Sequence, residues 1–139
     1  MITISTDKTK LQIEVIHQFI TNSYWGKGRT IEQVKATINN CMCFGVYKDS
    51  QQIGFGRVAT DYVVFAYVMD IFILPQHRGN GYSKKLMETI IHASELKECK
   101  TWMLKTSDAH GLYKQFEFTE LQNPDKVMER LLQKDSLKN

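Results

Sequence analysis

Gly79 and Gly81 stand one residue apart in the run P-Q-H-R-G-N-G-Y-S-K-K, from Pro75 to Lys85. An apolar strand pattern ends at Pro75 and an amphipathic helix begins near Ser83, so the local order is strand, glycine loop, helix. Backbone N–H groups in the first turn of a helix have no partners within it and carry the positive end of its dipole, which suits a phosphate group. Lys84 and Lys85 fall in that first turn, where cations oppose the dipole; a bound polyanion would remove the conflict. The other reading is a tight turn that needs glycine only for its dihedral angles, with the lysines on a solvated face.

Two further places carry chemistry by residue type. Asp70 interrupts an otherwise nearly unbroken apolar run from Val63 to Leu74. A carboxylate inside a buried strand is costly unless it is paired or opens onto a cavity. Asp70 is therefore a functional candidate, with a structural ion pair to an arginine such as Arg57 as the alternative. The segment Y-W-G-K-G-R-T, from Tyr24 to Thr30, sets two aromatics beside two glycines and two cations. It reads as a loop able to close over a ligand, or as one whose aromatics plug the edge of the core. Cys41, Cys43 and Cys99 form an odd set without CxxC spacing or a neighbouring histidine. They read as reduced thiols of a cytoplasmic protein, with no metal site and no disulfide.

The elements that must position these residues follow from periodicity. Ile2 and Ile4 alternate with polar residues as a short strand, and Leu11, Val15, Ile16, Phe19 and Ile20 recur at helical spacing. Thr30 and Gln33 fit a capping box for a second helix lined by Ile31, Val34 and Ile38. Strand signals follow at Cys41–Lys48, Ile53–Ala59 and Val63–Leu74, a meander whose last strand is expected to be buried on both faces. After the glycine loop, Leu86, Met87, Ile90, Ile91 and Ser94 share a helix face, and Thr101–Thr106 returns as a strand parallel to the one before the loop. Asp108 is expected to cap a short helix carrying Leu112, Tyr113 and Phe116. Phe118–Leu121 predicts a sixth strand. Asn123-Pro124 then predicts a C-terminal helix with Val127, Met128, Leu131 and Leu132 inward, ahead of a polar tail from Gln133. The expectation is one α+β domain over residues 1–139, with a mixed, mostly antiparallel sheet of about six strands flanked by helices.

With 139 residues and 42% hydrophobic content, such a domain has enough apolar material for a core. The formal net charge of +3 is too small for a dedicated nucleic-acid binder. No signal peptide and no membrane-length apolar run is present, so no membrane association is expected. Spacing also limits the glycine loop. A dinucleotide-binding G-x-G-x-x-G would need glycine where Lys84 stands, and a Walker A loop would need a G-K-[ST] that is absent.

Together, the loop and the strand before it resemble the GNAT superfamily of acyl-CoA-dependent N-acetyltransferases. That family's [Q/R]-x-x-G-x-[G/A] signature is matched by Arg78-Gly79-Asn80-Gly81-Tyr82-Ser83, with serine for the final small residue; Gln76 to Gly81 also fits in a shifted frame, but the Pro75 and Leu86-Met87 landmarks favour the Arg78 frame. A second match is L-Y-K-Q-F-E-F, Leu112 to Phe118, which is similar to the family's L-Y-x-x-x-G-F with Glu117 in place of glycine. Tyr24-Trp25 through Arg29, with Asp61, Asp70 and Asp108-Ala109, further resembles a group of small bacterial GNAT proteins.

The resemblance implies acetyl-CoA as cosubstrate. Its pyrophosphate would lie on the backbone of Arg78, Gly79, Asn80, Gly81, Tyr82, Ser83 and Lys84, and its pantetheine arm would pair with Ile71, Phe72 and Ile73. It implies that Tyr113 protonates the departing thiolate and that Tyr24, Trp25 and Arg29 contribute to the acceptor pocket. Acetyl transfer to an amine also asks for a base, because an alkyl ammonium has a pKa of about 10.4; Asp70 is the candidate, directly or through water. A backbone N–H near Phe72 would serve the oxyanion. His77 and His110 read as loop or surface residues, while His17 and His92 carry no further signal. The expected activity is transfer of acetyl from acetyl-CoA to a small-molecule or peptide amine by a monomer or homodimer. The alternative is an idle acyl-CoA-binding module.

Overall fold

The computed structural model describes residues 1–132. The expected polar tail from Gln133 lies outside them. Five strands form one sheet in chain order: β1 (Ile2–Ser5), β2 (Met42–Lys48), β3 (Gln51–Thr60), β4 (Phe65–Ile73) and β5 (Thr101–Leu104). The first three pairings are antiparallel and the last, β4 with β5, is parallel. The helices are α1 (Ile13–Thr21), α2 (Ile31–Asn39), α3 (Tyr82–Ile91) and α4 (His110–Lys114). The mixed sheet flanked by helices agrees with the expected α+β class.

Two apolar clusters cover the two faces of the sheet. Ile16 and Ile20 of α1 and Val34 and Ile38 of α2 pack with Cys43, Phe55 and Phe72. Leu86, Met87 and Ile90 of α3 pack with Phe44, Val46, Ile53 and Val68. The neighbours Cys43 and Phe44 thus point to opposite layers, as strand alternation requires. Thr30 and Gln33 form the expected capping box at the start of α2. The entry to α1 is fixed differently: the Gln12 amide N–H donates to Gln52 Oε1 at 2.7 Å and the Gln52 N–H donates to Gln12 Oε1 at 3.2 Å.

β4 contains the feature that shapes the site. Phe72 pairs with Phe55 and Met69 with Arg57, so one extra residue of β4 is accommodated opposite Gly56. Asp70 takes up this bulge with φ of +55°, a left-handed conformation that costs a non-glycine residue about 1–2 kcal/mol. A Cβ at Gly56 would lie 2.6 Å from Ile71 Cδ1, so the absent side chain leaves room for the bulged strand. The bulge also reverses the alternation of β4. Ala66 and Val68 face the α3 layer before it, whereas Phe72 faces α1 and α2 after it. The reversal explains why the strand reads as buried on both faces. In the structure its exposed start is Phe65, and buried residues alternate with half-buried ones as far as Phe72.

Three expectations fail at or near the C-terminus. Phe118–Leu121 forms no strand; Phe118 instead packs edge-on to Tyr113, with ring centroids 6.2 Å apart. The predicted C-terminal helix reduces to a 3-10 turn over Pro124–Lys126, after which residues 127–132 are not helical. Its apolar face finds nothing to pack on, with Met128 94% exposed, and a short helix without tertiary support is marginal in water. Asp108 does not cap α4. The cap position is Ala109, whose N–H is taken by Thr106 Oγ1 at 3.0 Å.

Candidate active site

The parallel ladder between β4 and β5 runs only from Phe65 and Thr101 to Val68 and Leu104. β4 then continues from Met69 to Ile73 without that neighbour, because β5 ends at Leu104 while the bulge re-aims β4. A cleft of about 570 Å³ opens where the strands part, within the usual size of a small-molecule site. It is walled by Tyr24, Trp25 and Arg29 from the α1–α2 connection, by Tyr67, Met69, Asp70 and Ile71 of β4, and by residues 104–109 with Tyr113.

Asp70 is the hub of this cleft. Its Oδ2 accepts from Arg29 Nη1 and from Arg57 Nε, each at 2.8 Å, and its Oδ1 accepts from Trp25 Nε1 at 2.9 Å. The Asp70 side chain is 3% exposed. The ion pair with Arg57 anticipated as the alternative is present, joined by a second one to Arg29. Burial works against the charge on Arg57, but Asp70 and the contact with Cys41 together hold it firmly protonated. The loop carrying Arg29 is tied down by His17, whose Nε2 lies 3.1 Å from the Arg29 carbonyl oxygen and so donates to it. Across the mouth, the hydroxyls of Tyr24 and Ser107 meet at 2.7 Å.

Tyr113 is half-buried in the cleft wall. Burial first, then the charges of Asp108 and Tyr24, raise its hydroxyl above the ordinary tyrosine value. It therefore keeps its proton throughout the neutral range. Its short helix ends in a turn in which the Phe118 N–H reaches the Tyr113 carbonyl at 3.3 Å and Glu117 adopts φ of +68°. This is the position that glycine normally takes at a helix C-terminus, so Glu117 keeps the turn at the cost of strain.

The glycine loop lies outside this cleft and is built otherwise. Gly79 and Gly81 have φ of +83° and +77°, and a Cβ at either would meet nothing within 4 Å. The space above the loop is open, and glycine is there for its dihedral angles. Asn80 Nδ2 turns back to donate to the His77 and Arg78 carbonyls, at 3.1 and 3.4 Å. Arg78 Nε donates to the Ile73 carbonyl at 3.0 Å while its guanidinium lies 5.9 Å from the Phe19 ring centroid. No side chain caps α3, so its first-turn N–H groups stay available. Tyr82 packs on the core and Lys84 is exposed. Ile73 is buried, and Phe72 is stacked on Phe19 with ring centroids 4.1 Å apart, so Ile71–Ile73 offers chiefly main chain on the edge that β5 leaves free.

Tyr24, Trp25, Arg29, Asp70, Ile71 and Tyr113 therefore share one cleft. Ser107, Lys105 and Tyr67 belong to it too, yet no sequence signal pointed to Ser107 or Lys105. Tyr67 was detectable only through its alternation with Met69. Among the described residues no group of three or more His, Cys, Asp or Glu side chains is placed to hold a metal ion, and no helix is long and apolar enough to cross a membrane.

Comparison with known proteins bears on this geometry. A family model described as the acetyltransferase (GNAT) domain matches residues 39–120. A candidate acetyltransferase of the GNAT family from Xanthomonas campestris pv. campestris has a crystal structure similar to this fold, with a TM-score of 0.92 and 40% identity over 95% of this chain and 94% of its own. A candidate acetyltransferase from Gibberella zeae is 24% identical over 131 residues, 79% of this chain and 74% of its own length. A predicted acetyltransferase from Clostridium acetobutylicum, solved with acetyl-CoA, shares the fold at a TM-score of 0.65 and 15% identity, over 94% of this chain and 96% of its own.

Proposed function

The chain belongs to the GNAT acetyltransferase family and is an acyltransferase, and on that premise we propose that it moves the acetyl group of acetyl-CoA directly to a primary amine. The observation that carries the reading is the free edge of β4 from Met69 to Ile73, which joins the uncapped glycine loop to the cleft holding Tyr113. The main chain of Ile71, Phe72 and Ile73 suits an arm that pairs like an added strand. The backbone of Arg78, Gly79, Asn80, Gly81, Tyr82, Ser83 and Lys84 suits a pyrophosphate. The open space above Gly79 and Gly81 supports that fit. Acetyl-CoA supplies the activated acyl group as a thioester.

Transfer forms a C–N bond as the C–S bond breaks, with its electron pair leaving on sulfur. Tyr113, held protonated by burial, gives its proton to that sulfur and regains one from the acceptor nitrogen, directly or through water. A backbone N–H near Phe72 would serve the developing oxyanion. We assign Asp70 to positioning rather than to proton abstraction. Three N–H donors already occupy it, and its task is to hold Trp25 and Arg29 in the acceptor wall. The single-domain organisation over residues 1–139 and a cytoplasmic location belong to the same proposal; three free cysteines support a reducing compartment.

The test is thiol release from acetyl-CoA over a panel of amines, with Tyr113→Phe as the control. Turnover should fall by roughly 10²-fold in that variant, with acetyl-CoA affinity unchanged. Equal turnover would remove Tyr113 from the mechanism, and acetyl-CoA binding without turnover on any amine would make the protein a binding module.

A further inference from the structure

The charge in the acceptor cleft does not balance locally. One buried carboxylate, Asp70, faces two guanidinium groups, Arg29 and Arg57. It can neutralise one of them, and the other positive charge remains. Among the described residues the remaining donors of Arg57 find only sulfur: Nη1 lies 3.3 Å from Cys41 Sγ and Nη2 3.7 Å from Met69 Sδ. Sulfur is a weak acceptor, and the Arg57 side chain is only 9% exposed, so water compensates little. Among the described residues Arg29 has no side-chain acceptor besides Asp70. Both arginines line the cleft.

The other titratable groups of the cleft are Lys105, Asp108, Tyr24, Tyr67 and Tyr113. Lys105 is engaged by Glu129. Asp108 has no ion-pair partner among the described residues and is close enough to Tyr113 to raise its hydroxyl. The cleft thus has a cationic pole at Arg29 and Arg57 and an anionic pole at Asp108, beside the proposed proton donor.

We propose that the acceptor is a primary amine that also carries an anionic group, a carboxylate or a phosphate, which seats on Arg29 and Arg57 while its amine is drawn toward Asp108 and Tyr113. The inference rests on the acetyl-transfer reading and adds the class of amine. It disfavours polyamines and aminoglycosides, whose further ammonium groups would meet the two arginines and be repelled by like charge in a partly desolvated site. A bidentate guanidinium contact to a carboxylate or phosphate is short and directional, which supplies the discrimination.

The experiment compares matched acceptors by thiol release: amino acids against their amides, aminoalkyl phosphates against the corresponding amino alcohols, and diamines as the opposite case. The anionic member of a pair should have a kcat/KM at least about tenfold higher, a difference of about 1.4 kcal/mol, carried mainly by KM. The two pairs tell carboxylate from phosphate. In Arg29→Gln the preference should shrink to less than about threefold by loss of that arginine contact. Amides or diamines preferred in the wild-type protein would overturn the proposal, a result that stands even if Arg29→Gln does not fold. So would a preference unchanged in a folded Arg29→Gln. Calorimetric titration of N-acetylated amino acids and their amides into the CoA-saturated protein separates the two layers. Tighter binding of the anionic product without any turnover keeps the anion seat and overturns the transfer reading. Equal binding together with no turnover overturns both.

Discussion

The glycine loop and the cleft around Asp70 meet at the same strand, yet they are built from opposite materials. The loop, Arg78 to Lys84, presents main chain: two glycines in left-handed conformations, an uncapped helix start, and side chains that fold back onto neighbouring carbonyls. The cleft presents side chains, drawn from three distant stretches and locked around one carboxylate. Main chain can recognise what every family member shares, the cosubstrate. Side chains can recognise what one member alone requires, its acceptor.

Substitutions on the two sides should separate accordingly. The largest effect is expected for Asp70→Asn. Asparagine keeps the shape and tolerates the left-handed backbone, so the change isolates the charge, leaving two guanidinium groups facing each other. Denaturant titration should show a loss of about 3 kcal/mol, the low end for breaking a buried pair. The acceptor KM should rise while acetyl-CoA affinity holds. If Asp70 positions rather than abstracts protons, the pH–rate profile of the variant keeps its shape; a lost limb would make it the base.

On the loop side, Gly81→Ala places a side chain at φ of +77° in open space. The cost is conformational, about 1 kcal/mol. Acetyl-CoA affinity should drop about fivefold for a perturbation of that size, with the acceptor KM unchanged. A shift in acceptor KM instead would dissolve the distinction between the two regions. The smallest effect is a gain. Glu117→Gly relieves the strain at φ of +68° and should add up to about 1 kcal/mol, read as a higher melting temperature with kcat unaltered.

The same division decided what could be read in advance. The loop is local: strand end, two glycines and helix start lie within a dozen residues, so spacing alone excluded two phosphate motifs, while the choice of Arg78 over Gln76 as the start of the signature came from the family resemblance. Asp70 stood out as a lone carboxylate in an apolar run, but Trp25 and Arg29 lie more than forty residues away in the chain, and no periodicity links them to it. Tyr24 and Ser107 are separated by 83 residues. The C-terminal elements failed for a complementary reason. Val127, Met128, Leu131 and Leu132 have helical spacing, but periodicity describes a face and not the surface it needs to cover.

The extra residue at Asp70 has one more consequence. β4 is written in two phases, and the letters before position 70 and those after it obey opposite parity. Removing that single residue would restore one uninterrupted alternation, leaving Phe72 toward α1 and Ile71 and Ile73 toward α3 as they are now, and would take away only the carboxylate and the bend that aims it into the cleft. The bulge is thus no requirement of the core, which would pack on a regular strand; it is an insertion that the site alone uses.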